Sequence, residues 1–406
     1  MKNFFLIRWG RGFYLDRLTD SGRSFFWIGV VATTVAMTTF VIKSYFVWCA
    51  LAALLLVSIP LARLARVPLE VDYLLPVRAT AGTTLEVPVT ARNTRRRTAT
   101  DLALRLQSEQ LRPAPTYLPA LPAGQTHETH LKVDIPRRGH YLFTGVRQEC
   151  LFPFGVWRDL LMHSREQALL VHPWFTPLID LDVPVGRRYQ PGGVALSSNV
   201  GDSTEFLGTR EYRFGDSVRD IHWRSWARLA KPVVKEFQEE YFCRIALILD
   251  TFLPPDSGET YRDDFEANLS MAAAVADSLS EGEYVIDLFA AGPELYSMQA
   301  GRNLAHLENV LDVVACLEPC REPPFEKIAP VLLENMVHTT TAVIILLDWD
   351  EARERMVRVL RDHGPAIKTI LVRQTPPTLD PSAAEELLGP VVRLTPADVW
   401  NGVDQC

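Results

Sequence analysis

Residues 25–42 and 45–62 are two successive stretches of 18 residues without a charged side chain, separated only by Lys43 and Ser44. As a helix, each would be about 27 Å long, close to the thickness of a bilayer's hydrocarbon core. A cleaved leader has a shorter apolar region and a small-residue cleavage site. Here a second apolar stretch follows at once, so a retained two-helix transmembrane hairpin within residues 1–66 is expected. The alternative is a buried helical hairpin of a soluble domain. Lys2, Arg8, Arg11, Arg17 and Arg23 precede the first stretch and Arg63 and Arg66 follow the second, while only Lys43 lies between them. The positive-inside rule then places both termini in the cytoplasm, with a membrane-tethered cytoplasmic chain beyond residue 66. A two-residue turn is tight for two full spans and predicts tilt or a shift in register.

The chain is 406 residues long, enough for two or three folded units. Its 42 basic against 49 acidic side chains give a net charge of −7, which argues against a global attraction to nucleic acid. The six cysteines are scattered, as in a reduced compartment. Only Cys316 and Cys320 are close, and two ligands without a second pair make a weak metal signal.

From residue 69 to about 172, within a domain expected at 67–183, the apolar pattern has period two. Leu69, Val71, Tyr73 and Leu75 alternate with other residues, as do Leu85, Val87, Val89 and Ala91, then Leu102, Leu104 and Leu106, then Leu131, Val133 and Ile135. Turn chemistry at Gly82, Asn93, Gly124 and Gly139 separates these half-buried strands, and no helical pattern intervenes. An antiparallel β-sandwich is expected. Arg92, Arg95, Arg96 and Arg97 surround one hairpin turn, either as a solvated loop or, on a tethered domain, within reach of anionic headgroups.

Residues 184–240 form a linker, rich in Gly, Pro and Ser at its start, and a charged segment. From 241 to 406 apolar runs (243–249, 284–290, 341–347, 367–372, 391–394) alternate with helical patterns (265–279, 303–314, 325–336, 351–363). That alternation predicts a mostly parallel, doubly wound α/β sheet. Ligands of such sheets sit at the carboxyl ends of strands, which singles out Asp250, Asp348 and Asp350.

Residues 208–237 carry the densest information. The spacing predicts an extended stretch at 210–213, a turn at Gly215, and a helix capped by Asp216 or by Ser217 in a capping box with Asp220. Val218, Ile221 and Leu229 are expected to face inward on that helix, with Trp223 and Trp226 at its flanks. Basic and acidic residues nearly balance, which favours ion pairing over a phosphate-binding surface. Arg210, Glu211, Tyr212, Asp216, Arg219, Trp223 and Arg228 therefore either lock two domains together or form a docking surface for a protein partner; Arg and Trp are enriched at binding hot spots. His222 reads as a packed, hydrogen-bonded side chain rather than a general base, because no nucleophile or carboxylate is placed beside it by spacing.

The segment with Gly208-Thr-Arg-Glu-Tyr, Gly215-Asp216, Arg219, Ile221-His222-Trp223, Ala227-Arg228 and Val234-Lys235-Glu236-Phe237 resembles the signature of the domain-of-unknown-function 58 family. Arg138-Gly139-His140-Tyr141 and Pro153-Phe154-Gly155 resemble its other recurring pieces. The resemblance implies two N-terminal membrane spans, a β-rich region and a C-terminal domain similar to von Willebrand factor A. It also implies an inner-membrane protein that works with a MoxR-type AAA+ ATPase in assembling or maturing protein complexes. Two positions depart from the pattern. Where a metal-binding von Willebrand A domain has Asp-x-Ser-x-Ser, this chain reads Asp250-Thr251-Phe252-Leu253-Pro254, which leaves Asp250, Thr251 and Asp348 as a degenerate site for Mg²⁺. Phe152 stands where the family usually has an acidic residue.

The chain has no Gly-x-x-x-x-Gly-Lys-Ser/Thr loop, Gly-x-Ser-x-Gly elbow, His-Glu-x-x-His pair or Gly-x-Gly-x-x-Gly loop. The expectation is a non-enzymatic, membrane-anchored adaptor that needs no cofactor, whose partner is the AAA+ ATPase. The alternative is a divalent-metal or ligand sensor built on the strand-end aspartates.

Overall fold

The computed structural model describes residues 17–39, 42–152, 154–184, 206–214, 216, 218–237, 244–254, 258–281, 284–291, 295–300, 304–336 and 339–403. The expectations for Lys2, Arg8 and Arg11, for Pro153, for most of the linker (185–203), for the Gly215 turn and for the Ser217 cap lie outside the described residues. The chain is multi-domain, combining helices with β sheets. It divides into two compact units, one of residues 1–174 with 311–317 and one of 175–310 with 318–406.

Among the described residues, the first unit has two helices ahead of its β strands, α1 (Asp20–Thr39) and α2 (Ile42–Ala65). Lys43 and Ser44 fall inside the first turn of α2 and not in a connecting turn. Tyr45–Ala65 is long and apolar enough to cross a membrane by length and composition, and it is the single such helix among the described residues. In α1 the hydroxyls of Thr33, Thr34 and Thr38 donate to carbonyls one turn earlier (2.7–3.0 Å), which satisfies them inside the helix.

The eight described β strands of this unit all fall in the period-two region, as β1 (Glu70–Tyr73), β2 (Arg78–Thr80), β3 (Thr84–Arg92), β4 (Leu102–Ser108), β5 (Thr116–Leu118), β6 (Thr126–Asp134), β7 (Gly139–Cys150) and β8 (Asp159–His172). They form a three-stranded sheet, β1-β3-β6, and a five-stranded sheet, β2-β8-β7-β4-β5. Side chains from both sheets, among them Val87, Val89, Leu131, Leu104, Phe143 and Leu169, bury one common core. Pairing is antiparallel throughout except that β2 runs parallel to β8. The reason is connectivity: β2 leads into the other sheet through β3 and meets β8 only from afar, so no hairpin dictates its direction. A register shift between Phe143 and Gly145 bends β7. Gly145 (φ 147°) is needed there, because a Cβ would stand 2.2 Å from the His163 carbonyl oxygen.

The helices are seated on the β sheets of the same unit. Leu18, Ala62 and Trp157 form a small buried cluster. The Thr19 amide donates to the Val156 carbonyl (3.2 Å), and the Arg158 amide to that of Arg17 (2.7 Å). The Thr19 hydroxyl accepts from the Gly22 amide (2.9 Å), the geometry of an N-cap, and also reaches the Gly155 carbonyl. Gly22 is required by this close approach: a Cβ would lie 2.1 Å from the Val156 oxygen. Buried Asp159 takes Arg17 (3.8 Å) and Arg66 (3.5 Å), so charges flanking both helices converge on one carboxylate. The chain leaving α2 is pinned by the Gln148 amide, which donates to the Val67 carbonyl (2.7 Å) and accepts from the Leu69 amide (3.1 Å). Residues 311–317 cluster with this unit, where Asp312 accepts from Arg78 through both oxygens (2.9 and 2.7 Å) and pairs with His172 (2.7 Å).

The second unit contains a two-stranded ribbon, β9 (Phe206–Glu211) with β10 (Val233–Phe237), enclosing a 3-10 turn (Val218–Asp220) and α3 (Trp223–Leu229). Its main sheet has six strands: β11 (Arg244–Asp250), β12 (Val285–Ala291), β13 (Leu295–Ala300), β14 (Thr341–Leu346), β15 (Ala366–Val372) and β16 (Val391–Leu394). The spatial order is β13-β12-β11-β14-β15-β16, parallel except for the antiparallel edge strand β13. The apolar runs become these central strands because both faces are covered; β14 is buried at every position. The helices that follow along the chain are α4 (Glu259–Glu281), α5 (Leu304–Cys316, whose residues from 311 onward cluster with the first unit), α6 (Phe325–Asn335), α7 (Glu351–Asp362), α8 (Ser382–Leu388) and α9 (Pro396–Asn401). The strand order reverses between β11 and β14, so the crevice where open α/β sheets place ligands lies at the ends of these two strands, beside Asp250 and Asp348.

Candidate functional site: the strand-end ion network and the signature ribbon

At the end of β11 the buried Asp250 is fully engaged from within the protein. Its Oδ1 accepts from the Phe252 amide (2.9 Å), and its Oδ2 from the Leu347 amide (3.1 Å) and from Arg353 Nε (2.6 Å). The side chains of Arg353 and Asp250 are 3% and 0% exposed. Arg353 rises from the first turn of α7, whose N-cap is Asp350: that carboxylate accepts the Arg353 amide (2.9 Å) and the guanidinium as well. The remaining guanidinium nitrogen donates to the Phe252 carbonyl (3.2 Å), and the plane lies near the rings of Phe252 (5.4 Å) and Phe325 (4.9 Å). Burial pushes the guanidinium pKa down, but the charges of Asp250 and Asp350 outweigh this, so the arginine stays cationic. The crevice thus holds a fixed positive charge between two carboxylates, where a divalent ion would otherwise need oxygens.

Asp348 belongs to an adjoining set. It pairs with Arg373 and accepts from the Thr378 hydroxyl (2.6 Å) and amide (2.9 Å). Burial raises its pKa, but the Thr378 hydrogen bonds and the Arg373 charge prevail and hold it below its ordinary value. Arg373 in turn donates to the Tyr261 hydroxyl (3.1 Å). Asp264 of α4 accepts from the Gln374 amide (2.8 Å), and burial pushes its carboxyl pKa up. Asp250 and Asp348 are therefore held by different arginines, and Thr251 is buried beside the first. No group of three His, Cys, Asp or Glu side chains gathers to metal-binding distance among the described residues. Sequence reasoning singled out the aspartates but not Arg353, Arg373 or Asp264. The available signals were an arginine three residues into a helix capped by Asp350 and a charge immediately after an apolar strand.

In the ribbon, Arg210 grips Asp216 through two bonds (2.7 and 2.9 Å), and the Arg213 amide donates to the same carboxylate (2.7 Å). The hydrogen bonds from Arg210, then that from Arg213, draw the Asp216 pKa down to about 2. Asp216 therefore clamps the turn after β9 rather than capping α3. The helix begins later, with His222 as N-cap: its Nδ1 faces the Ser225 amide (3.3 Å) and hydroxyl (2.5 Å). Glu211 meets Lys231 at 3.3 Å across the ribbon. The inward-facing set is revised: Ile221 is buried, but Val218 and Leu229 are exposed, because the 3-10 turn and the late start of α3 rotate them outward. Phe214 is fully exposed and Trp223 is 62% exposed, stacked on Trp226 at 5.3 Å and 18°. Tyr212 donates its amide to the Pro232 carbonyl, and Arg219 and Arg228 lie on the 3-10 turn and α3.

These features define a multi-domain chain in which an open, mostly parallel α/β sheet carries a charged, aromatic-rich ribbon before its first strand. Residues 208–372 match the family described as "Protein of unknown function DUF58". The chain is similar to "Uncharacterized protein YeaD" of Bacillus subtilis (strain 168), 24% identical over 184 residues, which are 44% of each chain. The match thus spans under half of that relative's length. Among solved structures, the CARDB domain of the PF1109 protein from Pyrococcus furiosus is 11% identical with a TM-score of 0.20, covering 26% of this chain and 92% of that one. Proximal thread matrix protein 1 from the mussel byssus is 10% identical with a TM-score of 0.30, covering 40% of this chain and 45% of that one.

Proposed function

We propose that this protein is a non-enzymatic, membrane-anchored adaptor whose α/β unit is von Willebrand factor A-like and whose partner is a MoxR-type AAA+ ATPase engaged in assembling or maturing protein complexes. The observation that carries this reading is the contrast between the two parts of the site. The strand-end carboxylates are spent on internal arginines, whereas the ribbon turns Phe214, Val218, Trp223 and Leu229 to solvent around a rigid Arg210–Asp216 clamp. Exposed aromatic and arginine side chains on a rigid support are what a protein partner buries. The strand order with an antiparallel edge favours the von Willebrand A-like assignment. The apolar Tyr45–Ala65 helix favours membrane anchoring, as do the exposed Phe26, Trp27 and Val31 on α1, with both termini cytoplasmic by the charge rule. An adaptor of this kind raises the local concentration of ATPase and client at the membrane.

The test is affinity capture of the full-length protein from native membranes, beside a Phe214→Ser/Trp223→Ala variant and an Arg210→Ala/Asp216→Ala variant, each checked for folding. Enrichment of an AAA+ ATPase with wild type and its loss with the folded variants is the expected result. Equal recovery with all three, or no ATPase with any, overturns the adaptor reading.

A further inference from the structure

Between β3 and the bridge at Ala99, the chain makes a built loop and not a loose one. Asn93 is fully buried, donates to the carbonyls of Arg97 (2.8 Å) and Leu121 (2.9 Å), and accepts from the Arg95 amide (2.9 Å). This fixes the backbone of three consecutive arginines, Arg95, Arg96 and Arg97, whose side chains are exposed and have no acidic partner among the described residues. Arg92, at the end of β3, is different, since it stands opposite Glu70 in the sheet.

The position of this loop is set by helix α2. Arg97 donates to the Leu64 carbonyl (3.3 Å), in the last turn of the helix that is long and apolar enough to cross a membrane. The loop therefore lies where α2 emerges from its apolar stretch, next to the exposed Arg63. Of the nearby carboxylates, Asp159 is already held by Arg17 and Arg66 and Asp20 by Arg23, and Asp101, which shares the surroundings of Cys150 with Asp159, makes no ion pair with the loop. No described acid neutralises the triple arginine.

We infer that the Arg95–Arg96–Arg97 loop is a docking surface for anionic lipid headgroups, holding the β unit against the cytoplasmic leaflet; this rests on the membrane-anchored reading. Guanidinium groups match phosphate oxygens in geometry and charge, and each basic side chain at an anionic surface is worth about a fivefold change in occupancy. A loop pinned by a buried asparagine loses little backbone entropy on docking.

The experiment is hydrogen–deuterium exchange of the full-length chain in nanodiscs of phosphatidylcholine and in nanodiscs of phosphatidylcholine with phosphatidylglycerol. Uptake at residues 94–98 is expected to be about fivefold slower or more in the phosphatidylglycerol discs. An Arg95→Gln/Arg96→Gln/Arg97→Gln variant should lose this difference, and an Arg95→Lys/Arg96→Lys/Arg97→Lys variant should retain it, with uptake in β3 and β6 unchanged in both. Equal uptake in the two discs while residues 45–65 are protected overturns the lipid contact and leaves the anchor standing. Absence of protection at 45–65 overturns the anchor, and the lipid contact with it.

Discussion

Arg353 Nε lies 2.6 Å from Asp250 Oδ2, joining residues 103 positions apart at the carboxyl end of the first parallel strand, with both side chains withdrawn from water. The pair sits at the strand-order reversal, where such sheets keep their ligands. A guanidinium built into the protein answers the charge of this carboxylate, and the two phenylalanine rings beside it close the site.

Removing one member of this pair leaves the other charged and buried. Arg353→Met and Asp250→Ala are each expected to lower unfolding stability by about 3–5 kcal/mol. The double variant should lose clearly less than the sum, which a denaturation double-mutant cycle reads directly. Additive losses would mean that the two residues act independently.

Millimolar Mg²⁺ or Mn²⁺ should leave the Tm of the wild-type protein unchanged, since Arg353 already occupies the cation's place beside Asp250. A ligand that binds the native state alone raises apparent stability, so a concentration-dependent rise in Tm would instead support the metal-sensor alternative.

The Arg210–Asp216 clamp makes the ribbon acid-sensitive. Asp216 has a folded pKa of about 2 against an ordinary 3.8. Its contribution to stability is therefore present above about pH 4 and is lost as pH falls through the folded value. Protection factors of the β9 and β10 amides, taken against the intrinsic exchange rate at each pH, should fall across that window in wild type and show no such step in Asp216→Asn, whose ribbon should already be less protected at neutral pH.

Asp264 has the opposite sign. Burial raises its pKa, so between its ordinary value and the raised one the folded state binds more protons than the unfolded state. Stability contributed by this group falls as pH rises through that interval. Asp264→Asn keeps an oxygen for the Gln374 amide and should remove this slope from a plot of unfolding free energy against pH.

Gly22→Ala tests the seating of the helices on the β unit. With a Cβ 2.1 Å from the Val156 carbonyl oxygen, the backbone must shift, and a loss of about 1–3 kcal/mol is expected. Gly29→Ala, where a Cβ meets nothing within 4 Å, is the control that should leave the Tm unchanged or raise it.

Much of the architecture was legible along the chain because periodicity is local. Alternation at 85–91 and 102–106 became β3 and β4, and the continuous apolar runs at 243–249 and 341–347 became buried parallel strands. The edge strand Leu295–Ala300, with its mixed Tyr-Ser-Met-Gln pattern, and the short helices Ser382–Leu388 and Pro396–Asn401 carry too weak a period to stand out. The helix after Gly215 starts later than the spacing predicts, since Asp216 has the chemistry of a cap but is captured by Arg210.

Local periodicity was enough for the strongly patterned strands and helices, for the charged signature that precedes the α/β unit and for the aspartates at the strand ends. Only the tertiary structure decided what those aspartates face. Asp250 and Arg353, or Asp348 and Arg373, are brought together by strand order and helix packing, and a partner's identity at long separation leaves no trace in local composition. The same holds for the Arg95–Arg97 loop, whose charge is visible in the chain but whose place beside Leu64 arises from how α2 is seated on the sheet.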